Sequence, residues 1–329
     1  MAIQRSTAES ELVVVGPDEA RTALPFDQLV PALRLAFASG ATVPPRHHHD
    51  IPRSEGTQAV LLLMPAWQEG GCLGVKVATI YSGNGKRGLP SVYSTYLLCD
   101  AATGRPLALI DGAQITDRRT AAVSAVAASF LARADARSLL IVGAGRIAAL
   151  AADSFTAVRP IDRVSVWARA LDKAESLAAH LRASGHDAVA AASLRDAAGE
   201  ADIISCATMS TEPLICGEWL RPGTHIDLVG SFTPAMREAD ETCVRRSRVY
   251  VDSPEAIVES GDLAGPIANG ALDRQAIVGS LADLAAGRVA GRQSADEVTL
   301  FKAVGTALSD IAAAALVYRA VAGRTGSLG

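Results

Sequence analysis

The amino-acid sequence predicts an α/β fold with two domains, and three observations support that prediction. The chain has 329 residues, which is more than one domain usually contains. Hydrophobic residues make up 49% of it and aromatic residues only 4%, so small aliphatic side chains dominate, as in parallel strands covered on both faces. In the second half of the chain, apolar strand patterns alternate with helical ones, which is typical of a parallel sheet with right-handed crossovers.

The first part of the chain has a different pattern. A helix is predicted over residues 25–39, because apolar residues recur there at helical spacing. Four β-type runs follow it, and turn residues such as Thr103-Gly104-Arg105-Pro106 separate the last two. The four runs are 58–65, 72–81, 91–100 and 107–111. They predict a β-meander within an α+β domain.

The second part begins with an alanine-rich helix predicted over residues 116–134. The strands predicted after it are 138–142, 163–167, a short one around Val189, 202–206, 224–229 and 247–251. The helices predicted between them are 145–157, 171–184 and 193–199. Residues 300–322 are expected to form one further apolar helix that returns to the first domain. The predicted domains are therefore 1–120 with 306–329, and 121–305.

The segment Ser138–Ala148 joins an apolar strand to an alanine-rich helix through a G-x-G-x-x-A turn. This pattern, in this setting, predicts a Rossmann-type dinucleotide site. Gly143 permits the sharp turn, Gly145 lets the backbone approach a pyrophosphate, and Ala148 lets the helix pack closely. Backbone N–H groups at the helix N-terminus would bind the phosphates. The residues expected around the pyrophosphate are Gly143, Ala144, Gly145, Arg146 and Ile147.

The end of the next predicted strand indicates which dinucleotide is used. Enzymes that use NAD keep a carboxylate there for the ribose hydroxyls, whereas this chain has Ala168 and Arg169. An arginine suits a 2′-phosphate, so the sequence predicts NADPH, with NADH possible, and Lys173 as a second cation. Residues that follow later strands are expected to flank the riboses and the nicotinamide: Ala207, Thr208, Met209, Val229 and Ser231.

Composition argues against several other classes of protein. The net charge of −4 lacks the basic footprint of a nucleic-acid binder. The five cysteines are scattered without a C-x-x-C pair, which argues against a disulfide framework and a structural zinc site. No apolar run reaches the ~18 residues of a membrane span, and residues 1–12 do not resemble a signal peptide. We expect a cytoplasmic protein with no nucleic-acid or membrane partner.

Three polar features stand outside the glycine turn. Lys76 interrupts a strand of small and apolar residues, where a buried lysine would need a partner; an edge lysine that blocks strand pairing is the alternative. Arg119 lies near a predicted helix start, against the helix dipole, which indicates an anion nearby; a surface arginine is the alternative. The run His47–His49 does not predict a metal site, because consecutive residues of an extended chain point to alternate faces.

Together these segments resemble the ornithine cyclodeaminase/μ-crystallin family over essentially the whole chain. The matching motifs are Pro45-Arg46, Val75-Lys76-Val77, Gly88-Leu89-Pro90-Ser91, residues 116–122, residues 143–148, Val229-Gly230-Ser231 and residues 299–305. The resemblance implies a first domain that dimerises through its sheet, giving a homodimer, and a second domain that binds NAD(P). It also implies that Lys76 and Arg119 bind the α-carboxylate of a small substrate, with Arg46 and Ser91 lining the same site.

One position departs from the pattern of the cyclodeaminases. They carry an aspartate where this chain has Phe232, and a phenyl ring can neither accept a proton nor hold an ammonium group by charge. Ornithine cyclisation is therefore not expected. Residues 230–238 and 44–49 instead resemble the bacterial cyclic ketimine reductases, which act in hydroxyproline or D-lysine degradation. Those enzymes reduce Δ1-pyrroline-2-carboxylate, and often Δ1-piperideine-2-carboxylate, to L-proline and L-pipecolate.

The resemblance thus implies that NADPH reduces a cyclic imino acid, with Lys76, Arg119 and His48 as the catalytic residues. His48 is preferred as proton donor because alternation places it on the opposite strand face from His47 and His49. Lys76, a bound water, or an imine that arrives protonated are alternatives. Other functions stay open: an alanine dehydrogenase, an opine-type synthase, an ornithine cyclodeaminase, or an NADPH-dependent small-ligand binding protein like μ-crystallin.

Overall fold

The computed structural model describes residues 12–53 and 59–325, which build two β-sheets. Among these residues, six strands form the first sheet: β1 (Val13–Val15), β2 (His47–Ile51), β3 (Ala59–Trp67), β4 (Cys72–Tyr81), β5 (Val92–Asp100) and β6 (Pro106–Asp111). Their order is β1-β6-β5-β4-β3-β2, with antiparallel pairing except between β1 and β6. The predicted meander is confirmed, whereas β1 and β2 were not predicted as strands. Gln58, where the first run was predicted to begin, lies outside the described residues.

Eight parallel strands form the second sheet, in the order β13-β12-β14-β11-β10-β7-β8-β9. They are β7 (Ser138–Val142), β8 (Arg163–Trp167), β9 (Ala188–Ala190), β10 (Ile203–Cys206), β11 (His225–Leu228), β12 (Ser247–Val251), β13 (Ile277–Ser280) and β14 (Val298–Lys302). All the segments in which they lie are described. The predicted parallel sheet is confirmed, and β13 and β14 extend it beyond the predicted strands.

The α-helices of the described chain connect and cover these strands. They are α1 (Pro17–Thr22), α2 (Phe26–Ser39), α3 (Gly112–Leu131), α4 (Arg146–Thr156), α5 (Leu171–Ala183), α6 (Leu194–Glu200), α7 (Glu241–Arg246), α8 (Ala256–Glu259), α9 (Gly261–Ala268), α10 (Leu281–Ala285) and α11 (Ala307–Thr325). Short 3₁₀ turns occur at Asn84–Arg87, Gly217–Trp219 and Arg274–Ala276. Within the described ranges no helix is both long enough and apolar enough to cross a bilayer.

The described residues divide into two units. One contains residues 12–24, 41–53, 59–116 and 310–325, and the other contains Pro25–Gly40 and Asp117–Ser309. The chain therefore changes unit after residues 116 and 309, where the sequence predicted 120 and 305. Helix α2, which the sequence assigned to the first domain, belongs to the second unit because it packs against α4 and α10. The substrate-binding and dimerisation roles of the first domain stay predictions.

The predicted helix over residues 300–322 is wrong at its start. Val298–Lys302 is the strand β14, which pairs with β11 on one side and β12 on the other and is buried along its whole length. Helix α11 begins only after Gly305, where φ is +87°. A central parallel strand is covered on both faces, so it is apolar without alternation, and such a run cannot be distinguished from a buried helix by periodicity.

The core of the second unit lies on both faces of the parallel sheet. One cluster of buried side chains includes Leu140 and Ile204, and the other includes Leu139 and Ile141, their strand neighbours on the opposite face. Ala148 is fully buried in the second cluster, as its predicted role in close helix packing requires. These layers fix the carboxyl ends of the strands, from which the loops of the candidate site emerge.

Candidate active site

The glycine turn after β7 has the backbone that the sequence predicted. Gly143 has a φ of +119°, a conformation that side chains disfavour, and an added Cβ would lie 2.6 Å from the carbonyl oxygen of Ala207. Its N–H donates to the carbonyl oxygen of Trp167 at 2.8 Å. The N–H of the first glycine therefore binds the turn to the end of β8, and its lack of a side chain permits the close approach of Ala207 after β10.

The second glycine of the turn has open space around it. Gly145 is the N-cap of α4, and an added Cβ would meet no atom of the described residues within 4 Å. Glycine has no side chain that could cap this helix, and the N–H groups of the first turn of any α-helix have no intrahelical acceptor. Gly145, Ala144 and Arg146 are exposed, and Ile147 is half-buried. An uncapped helix N-terminus under open space fits a dinucleotide pyrophosphate.

Arg146 is held beside this helix start by a carboxylate. Its Nε lies 3.3 Å from Oδ2 of Asp117, whose side chain is 10% exposed against 60% for the arginine. Asp117 lies on α3, so the ion pair connects α3 to the glycine turn. A largely buried acid therefore restrains an arginine whose side chain stays accessible at the predicted pyrophosphate position.

The end of β8 carries cations and no acid. Ala168 is half-buried, whereas Arg169 and Lys173 are exposed on the loop and first turn that follow. The first carboxylate after β8 is that of Asp172, in the first turn of α5. The arrangement thus presents two accessible cations beyond the strand end, with one acid between them in sequence.

Two strand-end loops of the second unit meet at a single buried carboxylate, that of Glu238. Its Oε1 accepts hydrogen bonds from the backbone N–H and the hydroxyl of Thr208, at 2.7 and 2.8 Å. Its Oε2 accepts from the backbone N–H groups of Gly230 and Ser231, at 2.8 and 3.3 Å. The structure therefore brings Thr208 and Ser231, both predicted cofactor residues, to one group that the sequence did not single out.

The other predicted residues of these loops have separate settings. Met209 is 75% exposed, while Ala207 and Val229 are half-buried. The hydroxyl of Ser231 donates to the carbonyl oxygen of Met236 at 2.7 Å and lies 2.8 Å from the Ser260 hydroxyl oxygen. The hydroxyl and the N–H of Ser231 are therefore both bound within the protein, and the residue is fully buried, so it shapes the loop after β11 from inside.

The backbone around Glu238 is held in place by Asp262, which pairs with Lys302. Its own N–H and that of Ala239 donate to Oδ1 of Asp262, at 2.7 and 3.1 Å, and Nζ of Lys302 donates to Oδ2 at 3.2 Å. Both partners are fully buried. Burial raises the pKa of Glu238 to about 7; the Lys302 charge and the bonds from Thr208 act against that rise, whereas the Asp262 charge adds to it. The sequence signal for this cluster was a lysine at the end of an apolar run, in Leu300-Phe301-Lys302.

Lys76 lies inside the first sheet and not at its edge. Strand β4 pairs with β3 and β5, so the edge-lysine alternative is wrong. The Nζ of Lys76 is 2.6 Å from Oδ2 of Asp310 on α11, and the two side chains are 5% and 0% exposed. A buried ammonium group needs such a partner. Asp310 is 234 positions from Lys76 in sequence, so no local sequence pattern indicates this pair.

Arg119 is buried, but the helix-dipole argument that the sequence suggested for it is wrong. Helix α3 begins at Gly112, so Arg119 lies two turns inside it and not at its start, and the helix-dipole argument does not apply. The residue is 6% exposed, which excludes the surface-arginine alternative. Its guanidinium packs on Gly305, where an added Cβ would lie 2.8 Å from Nη1. A side chain at 305 would therefore displace this cation.

The loop on which Arg119 packs contains Val304 and Gly305, and it is fixed by Asp252 at the carboxyl end of β12. Its Oδ2 accepts from the N–H groups of Gly305 and Val304, at 2.7 and 3.1 Å. Burial raises the pKa of Asp252 to about 6, although these two bonds and the Arg119 charge act in the opposite direction. Asp252 thus supports the glycine on which the guanidinium rests, and the sequence did not single it out.

The remaining predicted substrate residues lie around the first sheet. Arg46 is half-buried just before β2, and Ser91 is exposed just before β5. The rings of His47 and His49 lie 6.2 Å apart on one face of β2, so the predicted alternation is confirmed. Exposed His48 pairs in register with Leu62, which pairs with Ala78, and therefore shares the sheet face of Lys76.

Comparison with known proteins gives one family match that spans most of the chain. Residues 18–325 match the model of the ornithine cyclodeaminase/mu-crystallin family. A Δ1-pyrroline-2-carboxylate reductase of Paracoccus denitrificans (strain Pd 1222) is 42% identical over 290 residues, which are 88% of this chain and 92% of the relative.

Solved structures share the fold over nearly the whole length. The Δ1-pyrroline-2-carboxylate reductase of Thermococcus litoralis, solved with NADH and L-proline, has a TM-score of 0.89 and 34% identity, covering 95% of this chain and 98% of its own. An archaeal alanine dehydrogenase dimer with bound NAD has a TM-score of 0.88 and 26% identity, covering 95% of this chain and 97% of its own. Proteins of at least two activities therefore share this architecture.

Proposed function

The chain belongs to the ornithine cyclodeaminase/mu-crystallin family, and from that membership we propose that it is an oxidoreductase that reduces Δ1-pyrroline-2-carboxylate to L-proline with a nicotinamide cofactor. The observation that carries the proposal is 42% identity to a reductase of that name along 88% of the chain. Phe232 supports reduction over cyclodeamination, because no carboxylate stands at that position to handle an amine. The six-membered Δ1-piperideine-2-carboxylate, whose product is L-pipecolate, is proposed as a second substrate.

The proposed cofactor residues fit a dinucleotide. Residues 143–147 would hold the pyrophosphate on the N-terminus of α4, because Gly145 leaves space above uncapped N–H groups. A bound reduced nicotinamide would supply the hydride for the reaction. Arg169 and Lys173, exposed past the end of β8, would hold a 2′-phosphate and favour NADPH. Use of NADH is proposed as well, since the Thermococcus litoralis reductase was solved with it.

Each of two buried cations is proposed to hold the carboxylate of the imino acid. Asp310 lies 2.6 Å from the Lys76 ammonium group and restrains it, and Gly305 supports the plane of the Arg119 guanidinium. A guanidinium donates two parallel hydrogen bonds to a carboxylate, which would fix the orientation of the ring. Arg46 and Ser91 are proposed to line the same substrate.

Reduction of the imine adds a hydride to C2 and requires one proton on the ring nitrogen. The nitrogen of a five-membered cyclic imine is basic, so the substrate can arrive with that proton already bound. His48 is proposed as the donor when it does not, since it shares the sheet face of Lys76. Phe232 supplies no proton and cannot hold an open-chain ammonium group by charge.

The proposed function is tested by following cofactor oxidation with the five- and six-membered imines, each with NADPH and with NADH. Turnover of either imine supports it. Oxidation only with pyruvate and ammonia would assign an alanine dehydrogenase instead, the activity of the archaeal relative. Cofactor binding without oxidation by any of these substrates would indicate a binding protein.

Replacement of Arg169 by alanine tests the cofactor preference. A lost hydrogen-bonded charge pair costs about 1.5–3 kcal/mol, so the KM for NADPH should rise roughly 10- to 150-fold. The KM for NADH should stay within about twofold, because NADH has no 2′-phosphate for the arginine to bind. Steady-state kinetics with both cofactors measure this. Arg163→Ala, an exposed arginine at the opposite end of β8, is the control; equal rises for both cofactors would contradict the proposed phosphate site.

A homodimer is proposed through the outer face of the first sheet. We define that face by Trp67, Leu73, Val77 and Tyr93, which lie on the side opposite Lys76 and are between 37% and 48% exposed. So much exposed apolar surface on one sheet is typical of an interaction site. A second copy is the proposed occupant, in keeping with the dimer of the alanine dehydrogenase relative.

An aspartate at position 77 is expected to disrupt this dimer, because it would place a charge within an apolar contact. Light scattering after gel filtration should give the mass of one chain for Val77→Asp and of two chains for the unaltered protein. Val189→Asp, at an exposed position on the edge strand β9, should remain dimeric. A dimeric Val77→Asp protein would place the interface elsewhere.

A further inference from the structure

We propose that Glu238 is a positioning residue for cofactor binding, which fixes the loops after β10 and β11 in one geometry. The inference rests on the proposed dinucleotide site, to which both loops belong. One fully buried carboxylate bridges them, with two donors on each oxygen: the Thr208 N–H and hydroxyl on Oε1, and the Gly230 and Ser231 N–H groups on Oε2.

The bridge needs a carboxylate and not merely a polar side chain. An ionised carboxylate only accepts hydrogen bonds, and all four of its partners here are donors. An amide in its place would turn an N–H₂ group toward one pair of donors. Without the bridge, the N–H groups of Thr208, Gly230 and Ser231 would lose these partners where the dinucleotide is proposed to bind.

The two loops are in direct contact, so a small shift of one moves the other. A Cβ added at Gly230 would overlap the backbone of Thr208 as well as the Glu238 carboxylate. Ser231 is also bound through its hydroxyl to the carbonyl oxygen of Met236, two residues before Glu238. The loop after β11 therefore folds back on the segment that carries the Glu238 carboxylate. The loop after β10 is hydrogen-bonded to that carboxylate through Thr208 and is in contact with the loop after β11 at Gly230.

The carboxylate is held by a second layer of charged groups. Asp262 on α9 accepts the N–H groups of Glu238 and Ala239, and Lys302 on β14 donates to Asp262. The thiol of Cys206 on β10 also faces Glu238, and burial raises its pKa, so it is neutral. The Lys302 ammonium group also interacts with the buried acids Asp227 on β11 and Asp252 after β12, so acids outnumber the one ammonium group around Glu238.

The buried environment of Glu238 makes cofactor binding sensitive to pH near neutrality. Because burial raises the pKa of Glu238 to about 7, the group gains a proton as the pH falls through that value. The protonated form exposes an O–H donor to groups that themselves donate, so the bridge weakens. Cofactor affinity should therefore be highest above pH 7 and fall below it.

The test is a fluorescence titration of NADH, which carries no 2′-phosphate that titrates in this range. At pH 8.5, Glu238→Gln should weaken NADH binding at least about tenfold relative to the unaltered protein. Glu212→Gln, an exposed acid beside the loop after β10, is the matched control and should bind as the unaltered protein does. NADH affinity of Glu238→Gln within twofold of the unaltered protein would overturn the proposal.

The pH profile separates positioning from general stability. Between pH 8.5 and 6, the NADH affinity of the unaltered protein should fall, whereas that of Glu238→Gln should stay low and flat. Parallel profiles for the two proteins would overturn the role given to the carboxylate. If Glu238→Gln does not fold, Glu238→Asp takes its place: it keeps the charge but is too short to reach both loops, and wild-type affinity in that variant would overturn the bridge.

The titration needs no imine, so its outcome does not depend on the proposed substrate. A protein that reduces no imine but loses NADH affinity in the variant supports the positioning role and contradicts the proposed reaction. A protein that reduces the imine with equal NADH affinity in both forms contradicts only the positioning role.

Discussion

Replacement of Lys76 by methionine should lower kcat/KM for imine reduction by roughly 30- to 4,000-fold, because removing one partner of a buried charge pair costs about 2–5 kcal/mol. Methionine keeps most of the volume of the lysine side chain and removes its charge. NADPH affinity should be unchanged, since the proposed pyrophosphate site is made of residues 143–147 and does not include Lys76. Steady-state kinetics and a cofactor titration measure the two effects separately.

The same substitution has a structural cost that must be separated from the catalytic one. It removes the ammonium group that pairs with the fully buried Asp310 at 2.6 Å, which is expected to lower the free energy of unfolding by about 3–5 kcal/mol. Adding Asp310→Asn to Lys76→Met removes the buried negative charge as well and should recover most of the stability. If the double variant recovers stability and still fails to reduce the imine, Lys76 acts on the substrate. Recovery of activity with stability would show that its role is structural.

The second large effect is expected for Arg119→Lys, which keeps the charge and removes the planar pair of donors. The shorter ammonium group cannot occupy the position of a guanidinium packed on Gly305, nor bind a carboxylate through two parallel bonds. The expected loss in kcat/KM is about 2–4 kcal/mol, roughly 30- to 1,000-fold, with unchanged NADPH affinity. Steady-state kinetics with varied imine concentration should show this loss as a higher KM for the imine, a lower kcat, or both.

The neighbouring arginine supplies the control for that measurement. Arg118 lies on the same helix, with its guanidinium 4.5 Å from the ring centroid of Phe26, on a different side of α3 from Arg119. Arg118→Lys should leave kcat/KM within about twofold of the unaltered protein. Equal losses in the two variants would mean that α3 is merely destabilised, and full activity of Arg119→Lys would remove Arg119 from the substrate site.

The parts of the site that could be predicted are those encoded in short segments. The glycine turn is one continuous stretch, and its outcome, a φ of +119° at Gly143 and an uncapped α4, follows from local backbone requirements. The alternation of His47, His48 and His49 is likewise a property of an extended chain. Local rules of this kind do not depend on what packs against the segment.

The parts that could not be predicted depend on distant partners. Lys76 is explained by Asp310, and the pairing of Thr208 with Ser231 by Glu238, which is 30 positions from Thr208 and 7 from Ser231. No periodicity or spacing marks such pairs in a single sequence. The same limit explains β14, where burial on both faces of a central strand removes the alternation that would identify it.

The start of α3 illustrates a third kind of limit. The helix begins at Gly112 and runs through Arg119, so an arginine predicted near the helix start is instead buried two turns inside. Gln114 has its N–H bound by the Asp111 side chain, a local start signal that precedes the alanine-rich stretch. Helix boundaries are set by such caps, which a composition-based prediction passes over.

The most direct test of the proposed reaction is the fate of deuterium from a cofactor labelled at both hydrogens of C4 of its dihydronicotinamide. The purified protein would be incubated with this cofactor and Δ1-pyrroline-2-carboxylate, and the product examined by NMR and chiral chromatography. The proposed function predicts L-proline that carries one deuterium at C2 and none elsewhere in the ring. Proline without deuterium at C2, or no proline despite bound cofactor, would contradict it.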